Sequence, residues 1–131
     1  MSFNYTELSG LKDVFLEDSF VLAIKEEPAR ITFRVEAVLT PQHPCYRPPG
    51  VDEQYCFSKG DLIFSEISDV TWTRRSTEPF IDAKDEPDWG GIDEFDRVHL
   101  NEYLVEGHFG SVHITCSTNP VFLLDDCPSA T

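Results

Sequence analysis

The feature that most constrains the fold is a ten-residue stretch, 30–39, in which apolar and polar side chains alternate. The apolar positions are Ile31, Phe33, Val35, Ala37 and Leu39. A period of two places successive side chains on opposite faces of a strand, so this stretch is predicted to be a half-buried antiparallel strand. The apolar run 20–24 predicts a central strand before it, and a turn at 26–29 joins the two into a long hairpin.

The rest of the chain predicts further antiparallel strands. A second hairpin is expected about residues 58–60, where Gly60 would supply the positive φ of a tight turn. A break in the alternation across 65–69 indicates a bulge in its second strand. The strands predicted in this way are 54–57, 61–72, 96–100, 103–106, 111–116 and 121–124, with a turn at 107–110.

Three segments are predicted to lie outside the strands, apart from a frayed tail after residue 124. Residues 4–16 are expected to form one short helix, because their apolar side chains recur at helical spacing. Residues 40–53 contain four prolines and a glycine, which indicates a loop. Residues 73–91 are interrupted by prolines and a Gly-Gly pair and indicate a long connection.

Together these elements predict a mainly β (α+β) fold in a single domain over residues 1–131. Six to eight antiparallel strands would carry the short N-terminal helix, and either an open curved sheet or a sandwich satisfies the pattern. A chain of 131 residues that is 40% hydrophobic, with ten phenylalanines, is large enough for a substantial core.

The charge of the chain limits its partners. Asp and Glu number 24 against 10 Lys and Arg, a net charge of −14. Phosphate binding needs clustered basic residues, and the longest basic run is Arg74-Arg75, so nucleic acid is not an expected partner. No apolar run approaches the roughly 20 residues of a membrane span. A basic protein fits the sign of the field. The sequence also leaves a homo-oligomer open.

Four cysteines, Cys45, Cys56, Cys116 and Cys127, are spread irregularly along the chain. The first ten residues lack the basic and apolar regions of a secretion signal, so we expect a cytoplasmic protein with reduced thiols and no disulfide. His43 with Cys45 and Cys56 offers three zinc ligands at a spacing that matches no common site. The sequence therefore predicts no metal and no cofactor.

An acidic stretch, residues 78–96, is the main candidate site. Its carboxylates are Glu78, Asp82, Asp85, Glu86, Asp88, Asp93, Glu94 and Asp96, against Lys84 alone. One interpretation is a docking surface for a cationic protein, with Trp89 as an exposed aromatic anchor among these carboxylates. The other is a solvated loop whose aromatic residues hold it to the core. A calcium site is a weaker alternative, because the spacing lacks the order of an EF-hand loop.

No catalytic residue emerges from the sequence, and we expect the chain not to be an enzyme. A Cys–His pair lacks the local elbow or glycine-rich turn that would support a nucleophile. Glu17 and Asp18, next to Ser19, resemble the acid and base of glycoside cleavage. Sequence neighbours at the expected junction of helix and strand do not establish that geometry, so solvated junction residues are the expectation.

The order of short motifs carries a resemblance. It runs through LEDSFVL at 16–22, HPCYRPP at 43–49, Trp72, DWGGID at 88–93 and LVEGHFG at 104–110. In this order the chain resembles small uncharacterised bacterial β-rich domains, some of them classed as polymorphic-toxin immunity proteins. The resemblance covers most of the chain but lies in turn and core residues, so it transfers no site. It implies a cytoplasmic protein that binds and neutralises a toxin domain.

Three classes of function follow. The first, and the one we expect, is a non-catalytic binding protein that presents an acidic surface to a basic partner. The second is a small-molecule or carbohydrate-binding β-domain, whose mark would be a concave apolar pocket with a few polar groups. The third is an enzyme with dispersed residues, whose mark would be titratable groups clustered in a cleft.

Overall fold

The computed structural model describes residues 5–8, 10–48, 56–76, 80–81 and 87–125. In these residues it forms ten strands and one 3-10 turn, so the predicted mainly β fold is confirmed. No helix among them is long and apolar enough to cross a membrane. The strands are β1 Val14–Glu27, β2 Arg30–Leu39, β3 Cys56–Ser65, β4 Ile67–Arg75, β5 Phe80–Ile81, β6 Pro87–Asp88, β7 Ile92–His99, β8 Glu102–Gly107, β9 Gly110–Cys116 and β10 Val121–Leu124.

Two open antiparallel sheets of four strands form a sandwich. The first sheet has the order β1-β2-β3-β10 and the second the order β4-β9-β8-β7, while β5 and β6 form a separate two-stranded ladder. The sheets meet through aromatic rings. Phe33 of the first sheet lies 5.7 Å, centroid to centroid, from Phe109 at the β8–β9 turn, and Phe64 lies 5.9 Å from Tyr103. One continuous core therefore joins the inner faces of both sheets.

The alternation in β2 matches its burial. All five apolar positions that the sequence singled out between 31 and 39 are buried, with Phe33 and Val35 fully enclosed. Strand β9 behaves in the same way, with Val112, Ile114 and Cys116 buried and His113 on the opposite face. Strands β8, β9 and β10 lie within one residue of their predicted bounds, and the hairpin of β1 and β2 is confirmed.

The predicted N-terminal helix is wrong. Among the described residues of this segment only Tyr5–Glu7 is helical, as a 3-10 turn, and from Val14 the chain is already in β1. Gly10 and Asp13 have φ of 85° and 61°, which is incompatible with a right-handed helix through this segment. Leu8 and Leu11 are buried because they pack on the core. Their spacing therefore reflects burial in an irregular segment and not a helix.

Strand β1 is an edge strand of the first sheet, not a central one. The apolar run 20–24 suggested that both faces of this strand are buried, but only one of them is. Val21 faces the core with no exposed surface, whereas Phe20 faces outward and is 40% exposed. The second apolar face of β1 is therefore a surface feature.

The second predicted hairpin is also wrong, because β3 continues through Gly60 without turning. A Cβ at Gly60 would lie 2.7 Å from both the carbonyl oxygen of Leu123 and the ring of Phe122, so the glycine permits close packing of β10. The chain turns instead at Glu66, where φ is 52°, and passes from the first sheet to the second. The irregularity expected within 65–69 is present as a register shift between Ile67 and Asp69.

The connection predicted over 73–91 is partly ordered into strands. Strand β4 extends to Arg75, and β5 pairs with β6 inside the segment. The strand expected at 96–100 begins earlier, since β7 starts at Ile92. The predicted loop is free of strands from 40 to 48, while 49–53 and 126–131 lie outside the described residues.

The expectation of four reduced thiols is wrong, because Cys45 is disulfide-bonded. Cys56 and Cys116 are free and buried, so the partner of Cys45 lies outside the described residues. Sequence spacing did not reveal this bond because a disulfide depends on which segments the fold brings together.

Thiol counting tests this assignment. Without reductant, the denatured protein should react with two equivalents of an alkylating reagent, at Cys56 and Cys116, because the other two of its four cysteines are oxidised. Mass spectrometry of the alkylated chain measures the number directly, and reduction before alkylation provides the four-thiol control. Four labels on the unreduced protein would contradict the disulfide.

Candidate functional site

A bulge in β1 shapes the surface that we take as the candidate site. Phe15 pairs with Val38 and Phe20 pairs with Glu36, so residues 16–19 of β1 stand opposite Ala37 alone. Such bulges bend a strand, re-aim its side chains and often lie beside binding sites. Here the bulge carries Glu17, which is exposed, and Asp18, which is half-buried.

Ser19 holds the bulge in place. Its side chain is fully buried, and its Oγ donates a hydrogen bond to the carbonyl oxygen of Phe15 at 2.7 Å. The same Oγ accepts a hydrogen bond from the Val38 N–H at 3.0 Å. The displaced strand would otherwise leave that buried donor unpaired, which is unfavourable by about 1–3 kcal/mol.

Residues 89–91 of the acidic stretch pair with β1 just beyond the bulge. The Val21 N–H donates to the carbonyl oxygen of Gly90 at 2.8 Å, and the Trp89 N–H donates to that of Val21 at 2.7 Å. Phe20 and Gly91 form an isolated antiparallel bridge. A Cβ at Gly91 would lie 3.2 Å from the carbonyl oxygen of Ser19, so glycine suits this close approach. The pairing brings Asp93 beside the bulge.

Between these segments lies an open groove of about 590 Å³. Two phenyl rings form part of its wall: those of Phe20 and Phe57 lie 5.9 Å apart between centroids and are tilted by 37°. The volume is within the range of small-ligand sites. We call this feature the β1 groove, and it is lined by Glu17, Asp18, Ser19, Phe20, Phe57, Gly91 and Asp93.

Among the described residues, no cation pairs with the three carboxylates of the β1 groove. Tyr5 donates its hydroxyl hydrogen bond to Oε1 of Glu17 and accepts one from the Leu16 N–H at 3.0 Å. Burial, reinforced by the bond to Glu17, raises the pKa of Tyr5, so it remains a donor. Within the described part of the chain, Asp18 and Asp93 form no hydrogen bond or ion pair through their side chains. A concentration of uncompensated negative charge results.

The structure divides the described part of the acidic stretch among different surroundings. Asp93 lines the β1 groove, whereas Glu94 is exposed on the second sheet directly opposite Glu106. Asp88 contributes backbone pairing in β6. Glu78, Asp82, Asp85 and Glu86 lie outside the described residues.

Three apolar side chains in the described part of the acidic stretch pack on the core. Phe95 is buried, and so is the aliphatic Ile92. Trp89, the anchor of the docking interpretation, is half-buried and packs against the core. These three side chains attach their part of the stretch to the core.

Sequence reasoning missed most of the β1 groove. It placed Glu17 and Asp18 at a junction between helix and strand, and it gave no role to Phe20 or Phe57. One signal was present: the polar triplet 17–19 interrupts an otherwise apolar run from 14 to 22. A polar interruption within a long strand is typical of a bulge.

The alternative chemistries find little support. No group of three or more His, Cys, Asp or Glu residues among those described is placed to hold a metal ion. The disulfide removes Cys45 from any zinc site with His43. Burial raises the pKa of the Cys116 thiol, which donates to the carbonyl oxygen of Thr118 at 3.2 Å, and this is the opposite of nucleophile activation.

Comparison with known proteins finds no matching family model, no similar curated protein and no similar solved structure. The β1 groove and the charge of the chain therefore carry the functional argument.

Proposed function

We propose that this protein is a non-catalytic binding protein whose β1 groove docks a cationic segment of another protein. The observation that carries the proposal is the set of three carboxylates, Glu17, Asp18 and Asp93, around exposed phenyl surface with no cation of the described chain beside them. Complementary charge at such a rim accelerates encounter and selects partners of opposite sign.

The use of basic residues elsewhere supports this proposal. Arg34 pairs with Asp61 at 3.3 Å and with Asp125, and Arg75 pairs with Glu26. These carboxylates have a cationic partner within the chain, whereas those of the β1 groove have none among the described residues. A partner that supplies the missing cation gains both this local attraction and the long-range field of a chain with net charge −14.

We further propose that the partner is a basic toxin domain and that the chain acts as a bacterial immunity protein. The sign of the groove and the resemblance of the sequence to immunity proteins support this assignment. The cytoplasmic location predicted from the sequence remains part of the proposal. The disulfide of Cys45 argues against it, since cytoplasmic thiols are kept reduced. Thiol counting on protein isolated from its native cells tests the location.

Binding of a small molecule or carbohydrate is the second candidate. Its support is the volume of the β1 groove, about 590 Å³, together with the 40% exposure of the Phe20 side chain. A neutral sugar would stack on the Phe20 ring and donate its hydroxyl hydrogen bonds to the carboxylates. It would, however, leave the negative charge of the carboxylates uncompensated. Its binding should therefore be nearly independent of salt, unlike that of a cationic protein.

Association kinetics test the cationic-partner proposal. The partner is first isolated on the immobilised protein from extracts of its native cells. The combined Glu17→Gln, Asp18→Asn and Asp93→Asn variant should then associate with it about tenfold more slowly at low salt, because steering by the groove is lost. Dissociation should change less, and raising the salt should narrow the difference between variant and wild type.

A matched control separates the groove from net charge. The combined Asp69→Asn, Glu94→Gln and Glu106→Gln variant removes the same charge outside the groove, and it should associate nearly as fast as the wild type. Equal slowing in both variants would mean that only the overall field matters. Unchanged kinetics in the groove variant would exclude the groove as the docking site.

A further inference from the structure

We infer that the cation accepted by the β1 groove is the guanidinium of an arginine, not the ammonium of a lysine. This inference rests on the proposed function and identifies the side chain that the partner inserts. The first support is the number of acceptors. Three carboxylates have six oxygens, each able to accept more than one hydrogen bond, and the Tyr5 hydroxyl takes only one of these acceptor positions on Glu17. A guanidinium offers five N–H donors in a planar fork, whereas an ammonium offers three.

The second support is the phenyl surface between the carboxylates. Phe20 is 40% exposed and its ring lies 5.9 Å from that of Phe57, so phenyl surface in the groove lining is accessible to the incoming group. A guanidinium is planar and weakly hydrated, and it stacks on aromatic faces while its edges bind carboxylates. An ammonium is more strongly hydrated and loses more solvation when it contacts a ring.

Elsewhere in the protein, an aromatic ring and a carboxylate together bind one of the chain's own arginines. The guanidinium carbon of Arg75 lies 4.3 Å from the ring centroid of Trp72, and the same guanidinium pairs with Glu26. An aromatic face and a carboxylate thus bind an arginine within the chain. The β1 groove has the same two components without an internal guanidinium.

Three short peptides test the inference. They have the sequence acetyl-Gly-Ser-X-Ser-Gly-amide, where X is arginine, lysine or citrulline, the neutral counterpart of arginine. Amide NMR shifts of Ser19 and Gly91 measure binding to the ¹⁵N-labelled protein. The arginine peptide should bind about fivefold more tightly than the lysine peptide, as expected from stacking and forked hydrogen bonding. The citrulline peptide should produce no saturable shift.

Two variants locate the preference. Phe20→Leu should reduce the affinity for the arginine peptide to that for the lysine peptide, because it removes the stacking face and keeps an apolar side chain. Phe15→Leu is the matched control, since Phe15 lies on the same strand with the same 40% exposure but outside the groove lining. It should leave the preference for arginine unchanged.

The outcomes distinguish this inference from the proposed function. Equal binding of the arginine and lysine peptides at Ser19 and Gly91 would overturn the arginine assignment and leave the cationic-partner proposal standing. A preference that persists in Phe20→Leu would overturn the stacking role of Phe20, and with it the inference. Absence of groove shifts with all three peptides would also overturn it, while the kinetics of the full partner would decide the proposed function separately.

Discussion

Replacing Phe33 by alanine should lower the free energy of unfolding by about 3–5 kcal/mol. Phe33 has no exposed surface, and its ring contacts Phe64 within the first sheet and Phe109 across the sandwich. Truncation would therefore remove contacts on both sides and leave a cavity that neighbouring side chains cannot close without shifting. Urea denaturation measures the change in unfolding free energy, provided that the m-value is the same for variant and wild type.

A phenylalanine on the surface provides the comparison for Phe33. Phe15→Ala removes the same atoms from a side chain that is 40% exposed, so its effect should be clearly smaller, because less area returns to water and no enclosed cavity is left. A loss below about 1 kcal/mol for Phe33→Ala would mean that the burial or register of β2 is wrong, since a one-residue slip would turn this ring to the solvent.

Replacing Gly110 by alanine should be destabilising to a similar degree. Gly110 begins β9 with φ of 141°, a conformation nearly restricted to glycine. Its added Cβ would lie 2.3 Å from the carbonyl oxygen of Arg74 on the neighbouring strand β4. Strain at such a position costs about 1–3 kcal/mol, and the overpacking adds about 1–3 kcal/mol.

Gly91→Ala is the matched control for Gly110→Ala. The φ of Gly91 lies outside the left-handed region, and its nearest contact, the carbonyl oxygen of Ser19, would be 3.2 Å away. We therefore expect a markedly smaller decrease in melting temperature and in unfolding free energy. Equal losses in the two variants would argue against the tight β4–β9 contact at Gly110.

The parts of the fold that the sequence predicted well are those in which local pattern and burial coincide. Strand β2 shows this, because its period of two matches a sheet with one face on the core. The N-terminal segment shows the opposite case. Leu8 and Leu11 follow helical spacing, yet tertiary packing buries them in an irregular segment with positive φ at Gly10. Gly60 was interpreted as a turn residue for a similar reason. Its small size permits close packing against β10 and is not used for a turn.

The β1 groove could not be predicted from the sequence because its residues come from distant segments of the chain. Glu17 and Asp18 reach the surface only through the displaced pairing of β1 and β2, and Phe57 arrives from β3. Asp93 joins them through backbone bonds between Val21 and residues 89–90. Each element had an ordinary local explanation, and only their meeting distinguishes the site.

The backbone bonds that attach residues 89–91 to β1 have a thermodynamic consequence for recognition. The two walls of the β1 groove are held apart at a distance set by the bonds of Val21 and by the buried Ser19 hydroxyl, before any partner arrives. A ligand that enters such a preorganised cleft need not order it, so less conformational entropy is lost on binding. Slow hydrogen exchange at the Val21 and Trp89 amides of the free protein would be the signature of this rigidity.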